Sequence, residues 1–220
     1  MNYIAIIGDI IDSRNLRDRN QVQKKLMDQL EKINRLYSDD IKADFKITLG
    51  DEFQGLMYSE SKAPIEVICK LEQMLYPVKI RFGIGVGDVS TKIIENQPAM
   101  MDGPCFHMAR KAITKLKENE GKKEVADSLM AIEFSHDTAY GMVANSLLML
   151  ISNLMDGWTA KMAATINAYE ENDCSQQRAA DVLGVNRTTV VRSLKSAKYY
   201  AYCNAKEAIS KLIKEEVTVV

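Results

Sequence analysis

Two acids at the ends of β-like runs are the first residues in this chain whose types and places suit chemistry. Asp9 closes the apolar run Tyr3-Ile4-Ala5-Ile6-Ile7-Gly8, and Asp51 sits in the turn of Leu49-Gly50-Asp51-Glu52-Phe53. Carboxylates at adjacent strand ends form the hard-oxygen arrangement that takes Mg²⁺ or Mn²⁺ together with the phosphates of a nucleotide. The polar stretch Asp12-Ser13-Arg14 offers backbone N–H groups and a guanidinium to the same phosphates. Further on, His107 and Lys111 are four residues apart, so a helix sets them on one face within reach of a polyphosphate. Each feature also has a plainer reading: strand-end acids commonly serve turns and caps, and basic helix faces are commonly just solvated. The sequence assigns no catalytic residue.

A second constellation lies near the other end. In Ala180-Asp181-Val182-Leu183-Gly184-Val185-Asn186-Arg187, a small residue stands four before a glycine, and Val190 follows six after it. That is helix-turn-helix spacing: alanine lets two helices approach, glycine permits a left-handed turn, and Val185, Val190 and Leu194 lock the second helix on the first. Left facing outward are Arg187, Thr188, Thr189, Arg192, Lys195 and Ser196, types that contact phosphates and base edges. Between Asp181 and Glu207 every charged residue is basic. The alternative is a helical hairpin whose charges are only solvated.

The elements that must position these residues follow from periodicity. The first run is short and β-branched, as suits a strand buried on both faces. Val22, Leu26, Leu30 and Ile33 mark an amphipathic helix from about Asp18 to Tyr37. Phe45, Ile47 and Leu49 alternate into a hairpin around Gly50-Asp51, and Pro64 opens a helix that Pro77 stops. Val78 to Val86 alternates as a strand, Gly87-Asp88 turns, and Val89 to Ile94 reads as a return strand. Gly83, Gly85 and Gly87 read as close-packing and turn residues. Asp102-Gly103-Pro104 starts a third helix, Gly121-Lys122-Lys123 is a loop, and the segment from Val125 to Phe134 is read as strand near 129–134. From Thr138 onward the pattern is helical: a segment to Asp156, another from Trp158 to Tyr169, a short one ending at Gly184, and a long one from Arg187 to about Ile213. The order predicts an α+β fold, a mainly antiparallel sheet with helices on one face, followed by an all-α helix-turn-helix domain. The expected divisions are 1–135, a connecting helix at 136–157, and 158–220.

The bulk numbers fit a globular chain: 220 residues, 46% hydrophobic and 27% charged, with a formal net charge of −1. Cys69, Cys105, Cys174 and Cys203 are widely spaced with no CxxC pair, so neither a zinc site nor a disulfide framework is expected. The chain enters a strand with no basic leader, and its apolar runs stop well short of ~20 residues. A cytoplasmic protein with no membrane partner is expected.

Taken in order, Ile7-Gly8-Asp9-Ile10, Leu49-Gly50-Asp51-Glu52-Phe53 and Arg81-Phe82-Gly83-Ile84-Gly85-Val86-Gly87 resemble the catalytic domain of class III nucleotidyl cyclases. The whole chain resembles the SatD family, in which such a domain is joined to a C-terminal helix-turn-helix; the Gly103-Pro104-Cys105-Phe106-His107-Met108-Ala109-Arg110-Lys111-Ala112 helix and Trp158-Thr159 are in keeping with it. The resemblance implies a ferredoxin-like, nucleotidyl cyclase-like sheet, with two metal ions held by Asp9 and Asp51. The cyclase asparagine and arginine would fall on His107 and Lys111, and the purine-selecting lysine on Phe45, so none of the three is retained in kind. A Gly-Asp-Glu-Phe hairpin is also found in diguanylate cyclases, where a second glycine stands in place of Leu49. The expected function is a homodimeric, DNA-binding transcriptional regulator whose cyclase-like domain senses a nucleoside triphosphate or related nucleotide through Mg²⁺. The alternative is a Mg²⁺-dependent enzyme acting on a nucleoside triphosphate.

Overall fold

The run Tyr3–Ile10 forms strand β1, and its apolar residues on both faces place it at the centre of a sheet. The computed structural model describes residues 2–16, 18–122, 128–135 and 139–219, with the side chains of Arg14 and 216–219 outside that description. The other strands are β2 (Ile41–Leu49), β3 (Glu52–Tyr58), β4 (Ile80–Gly87) and β5 (Met130–Phe134), in the order β2-β3-β1-β4-β5. β1 runs antiparallel to both neighbours, with Asp9 opposite Glu52 on β3 and Arg81 on β4. β5 joins β4 in parallel.

Helices α1 (Arg19–Leu36) and α2 (Pro64–Leu75) cover one face. α1 starts where the Asp18 carboxylate accepts the Gln21 N–H at 3.0 Å. Its Leu26, Leu30 and Ile33 meet Ile4, Ile6 and Ile10 in a core that α2 extends with Ile65, Ile68 and Leu71. Each fully buried side chain of this kind contributes roughly 1.5–3 kcal/mol.

Alternate residues of β1 point the other way. There Ala5 and Ile7 pack under α3 (Pro104–Asn119), against Phe106, Ala109 and Ile113. A Cβ on Gly85 would lie 2.0 Å from the Cys105 carbonyl oxygen, and one on Gly83 2.2 Å from that of Ala109. Glycine at both positions opens a trough in β4 that α3 fills. The expected helices on one face are present as α1 and α2; α3 adds cover to the second face.

The expected return strand at Val89–Ile94 does not form. Ser90 and Thr91 donate their N–H groups to the Asp102 carbonyl at 2.9 and 3.2 Å, which ties the segment to the start of α3. The chain then runs along the edge of β2, where Asp44 N–H donates to Glu95 O at 2.8 Å. The strand expected near 129–134 is β5; the part of that expectation falling on 123–127, Lys123 and Val125 included, lies outside the described residues.

α4 (Ala139–Asp156) closes the opposite edge of the sheet. Asn145 accepts the Ile132 N–H and donates to the Ile132 carbonyl, both at 2.9 Å, and Ser152 Oγ accepts the Leu129 N–H at 2.9 Å. Thr138, where this helix was expected to start, lies outside the described residues, as does position 136. Four more helices follow: α5 (Ala160–Glu171), α6 (Gln176–Leu183), α7 (Arg187–Ser196) and α8 (Tyr199–Val219). The expected single helix from Arg187 to Ile213 is therefore two. Lys198 breaks it with φ +53°, and the Ala197 carbonyl accepts the Trp158 indole N–H at 2.9 Å, while the Tyr202 ring stacks edge-on to Trp158 at 5.0 Å. One apolar core runs from Ile4 through Trp158 to Ile213. All four cysteines are free thiols, and among the described residues no helix is long and apolar enough to cross a membrane.

Candidate functional site

The end of the sheet where β1 stops and β4 begins gathers most of its buried charge. Asp9 is 8% exposed and faces α3, as does Arg81 directly across the ladder. Arg81 Nη1 donates to Asp9 Oδ2 at 3.1 Å, Lys117 Nζ of α3 meets the same oxygen at 3.1 Å, and Arg81 Nη2 donates to Glu120. Two acids and two bases thus alternate along a chain from Lys117 to Glu120. Asp9 and Arg81 are buried and each has two partners, whereas Lys117 and Glu120 at the ends are about half exposed. Nearby, Arg110 of α3 approaches Glu52 at 3.7 Å.

Asp51 lies one step beyond Glu52 in the turn after Gly50, and its carbonyl accepts the Ile10 N–H at 3.4 Å. The turn is pinned by Gln23 of α1, whose side-chain amide donates to Gly50 O at 3.1 Å. Asp51 shares a small pocket with Ser13, Leu16 and Arg19, on the α1 side of the sheet. Ser13 is buried, and Asp12 turns the chain with φ 52° while its carbonyl accepts the Asn15 N–H at 2.8 Å. The Arg14 side chain lies outside the described residues. The structure therefore brings Ser13 to Asp51, whereas Asp9 is engaged by cations beneath α3.

These placements bear on the expected metal. Among the described residues no three or more His, Cys, Asp or Glu side chains converge on a point that could hold an ion. As placed, Asp9 is bonded to Arg81 and Lys117, and a cation held by Asp9 and Asp51 would have to compete with both.

His107 and Lys111 are not brought to Asp9. His107 Nε2 pairs with Asp102 at 2.9 Å at the start of α3, about 15 Å along the helix from Lys117 at 1.5 Å per residue. Lys111 turns to β5, where it meets Glu133 at 2.9 Å and Lys115 joins it. Burial pushes the Glu133 carboxyl up, but Lys115 and Lys111 outweigh it and hold it below the usual range.

A cavity of about 330 Å³ opens beside Arg81, lined by Lys79, Glu120, Ser128, Ser152 and Asn153 among others. Lys79 bridges to Asp156 at the last residue of α4. Sequence reasoning missed Arg81, Lys117 and this cavity; the available signal was an arginine inside an otherwise apolar and glycine-rich strand. A larger cleft of about 1070 Å³ lies between α2, α5 and α8, where Lys70 and Lys206 are already matched by Glu170 and Glu66.

In the helical half, the Ser175 hydroxyl caps α6 and Gly184 ends it at φ +64°. The Val185 N–H donates to Ala180 O at 3.0 Å, closing the turn before α7. Val190 and Leu194 are buried, while Arg187, Thr188, Thr189, Arg192, Lys195 and Ser196 are all exposed on α7. Arg187 is steadied by the Gln176 side-chain carbonyl at 3.0 and 3.1 Å.

The family model described as the SatD family matches residues 3–213. No curated protein matches the chain. Among solved structures, the chain is similar to a bacterial light-regulated adenylyl cyclase, at 14% identity and TM-score 0.43, over 60% of this chain and 74% of that one. It is also similar to the guanylyl cyclase domain of the RhoGC fusion protein from the aquatic fungus Blastocladiella emersonii, at 16% identity and TM-score 0.37, over 51% and 73%. A third similarity, to a regulator of polyketide synthase expression from Bifidobacterium adolescentis, spans 96% of this chain and 86% of that one at 13% identity and TM-score 0.31.

Proposed function

The chain belongs to the SatD family, and we propose that it is a cytoplasmic, dimeric DNA-binding regulator in which α7 reads DNA and the sheet end beside Arg81 receives a nucleotide. The observation that carries the DNA reading is the outer face of α7, which offers two arginines, a lysine and three hydroxyls and no acid. Guanidinium and ammonium groups neutralise phosphates, and the hydroxyls and Arg187 suit base edges at the start of a helix entering the major groove. Two copies would present two such helices to paired half-sites.

The nucleotide reading rests on the cavity beside Arg81. Its wall holds Lys79 and Arg81, each paired with an acid of the same wall, Asp156 and Glu120, beside the neutral donors and acceptors Asn119, Ser128, Ser152 and Asn153, so a phosphate entering it would have to displace those carboxylates. The cavity ends on the final turn of α4, and the chain goes directly from there into Trp158 and the helical half. A ligand in it would touch the last turn of α4, which packs on α8, and α8 in turn contacts α7. Mg²⁺ or Mn²⁺ enters this proposal only as the counter-ion that a triphosphate brings with it. Because Asp9 is paired with Arg81 and Lys117, binding is favoured over phosphoryl-transfer turnover.

The test is a titration of genomic DNA fragments at several salt concentrations. Arg192→Ala with Lys195→Ala should weaken binding and flatten the salt dependence by about 0.9 in log–log slope for each phosphate that is no longer neutralised. An unchanged slope would count against α7. Adding each nucleoside triphosphate with Mg²⁺ to the same titration should shift the affinity for one of them, and hydrolysis or cyclization of that nucleotide would move the assignment to an enzyme.

A further inference from the structure

α4 carries no charged residue from Ala139 to Met155, its first being Asp156. One side of the helix is buried through Ala144, Leu148, Ile151 and Met155. The opposite side faces solvent, yet Val143 is 49% and Leu150 54% exposed there, with Met142 at 73% and Tyr140 at 44% on its flanks. α1 has the same length and shows the ordinary pattern, with Lys24, Asp28, Glu31 and Lys32 spread over its outer side. The outer face of α4 departs from that pattern: it carries no charge along five turns and exposes Val143 and Leu150 beside Ser146 and Asn153.

The spacing on that face is specific. Ala139, Val143, Ser146, Leu150 and Asn153 follow one another at intervals of four, three, four and three, the seam of a heptad. Large residues at 143 and 150 alternate with small or uncharged polar ones at 139, 146 and 153.

We propose that this seam is where a second copy of the chain docks, α4 against α4, antiparallel about a twofold axis. Self-pairing follows from the chemistry: the seam has no charge that calls for an oppositely charged partner, and it is its own complement when reversed. In that register Leu150 packs over Ser146 of the second copy and Val143 over its Asn153, which also lines the cavity beside Arg81, large against small on both sides of the axis. The size of the seam sets its strength. A helix about 27 Å long offers on the order of 400 Å² from half its lateral surface, roughly half of the ~800 Å² that each partner buries in a standard interface. The free protein therefore associates weakly, and DNA carrying two half-sites consolidates the pair by holding both α7 helices at once.

The inference supplies the surface for the dimer proposed above, and it is tested without DNA, so its failure and that of the DNA reading are separable. Sedimentation of the full chain over a rising concentration series should show the mass passing from one chain to two. Leu150→Glu, at an exposed position, should raise the dimer dissociation constant about tenfold or more with circular dichroism and melting temperature unchanged. Ser146→Lys should do the same alone, and mixing the two variant proteins should restore association through the new Glu–Lys contacts. A wild-type chain that stays single throughout, a dimer that Leu150→Glu leaves intact, or a mixture that fails to associate would each overturn the proposal. So would a single chain that binds neutral lipid vesicles through Leu150, which would give the seam to a membrane surface instead.

Discussion

Glu72 on α2 is the clearest case of a single side chain under electrostatic tension. Its Oε2 is sealed from solvent and has no hydrogen-bond partner among the described residues, and burial, followed by the negative charge of Asp156, lifts the carboxyl to about 8 against the pull of Lys79. A carboxyl whose folded value lies above its unfolded one binds its proton more tightly in the folded state. Its contribution to stability is therefore full below the ordinary carboxylate range and is lost as pH rises toward about 8. Glu72→Gln should remove that fall and stabilise the protein by about 1–3 kcal/mol at the upper end of the window, since a neutral amide no longer has to ionise there. Urea unfolding at a series of pH values would show it; identical pH profiles for variant and wild type would refute it. At this scale the sequence disclosed acids better than their partners. Asp9 stood out because it closes a continuous apolar run, and Asp51 because it sits in the turn of an alternating hairpin. The Arg81–Asp9 pair spans 72 residues of chain, and Lys117 comes from a helix whose facing no periodicity ties to β1. Spacing along the chain cannot report a contact made by folding across it.

Two edge strands show how elements here are finished by side chains rather than by further strands. β5 would expose its outer edge, and Asn145 occupies it by taking both the N–H and the carbonyl of Ile132. On the far side of the sheet, Asn34 of α1 does the same for Phe45, donating to its carbonyl at 3.1 Å and accepting its N–H at 2.8 Å where the β2–β3 register slips. Asn145→Ala should cost about 1–3 kcal/mol by leaving the Ile132 groups without partners, and should raise the tendency to aggregate through the uncovered edge. Chemical unfolding and light scattering measure the two effects; a loss below the error of the unfolding curves would show that water replaces the asparagine without penalty. The helices themselves were legible from apolar spacing, and α1, α2 and α3 fall where it put them. The break between α7 and α8 was not, because Tyr199, Tyr202 and Lys198 carry no turn signal. What stops the helix is Trp158, a residue 39 positions away whose indole takes the Ala197 carbonyl.

Across the whole molecule, the sheet and the helices share one core. Gln73 of α2 donates to the Tyr202 hydroxyl at 3.4 Å, Lys206 of α8 reaches Glu66 at 2.9 Å, and α8 packs along α4. Composition and motif order pointed to two parts in series. The shared core could not be read in advance, because apolar residues in the sequence do not say which neighbour they will meet. Heating should therefore produce one cooperative transition, with Trp158 fluorescence, which reports the junction, coinciding with far-ultraviolet circular dichroism, which reports the sheet and helices together. Two separated transitions would show that the halves are only loosely joined. The arrangement also limits what can be borrowed from this protein. A fragment cut out at Trp158 would keep α7 intact, but the underside of α8 would come away bare, with Tyr202 severed from Gln73 and Lys206 from Glu66. The reading helix is not a portable module, and grafting it onto another sensor would first require rebuilding the surface on which it stands.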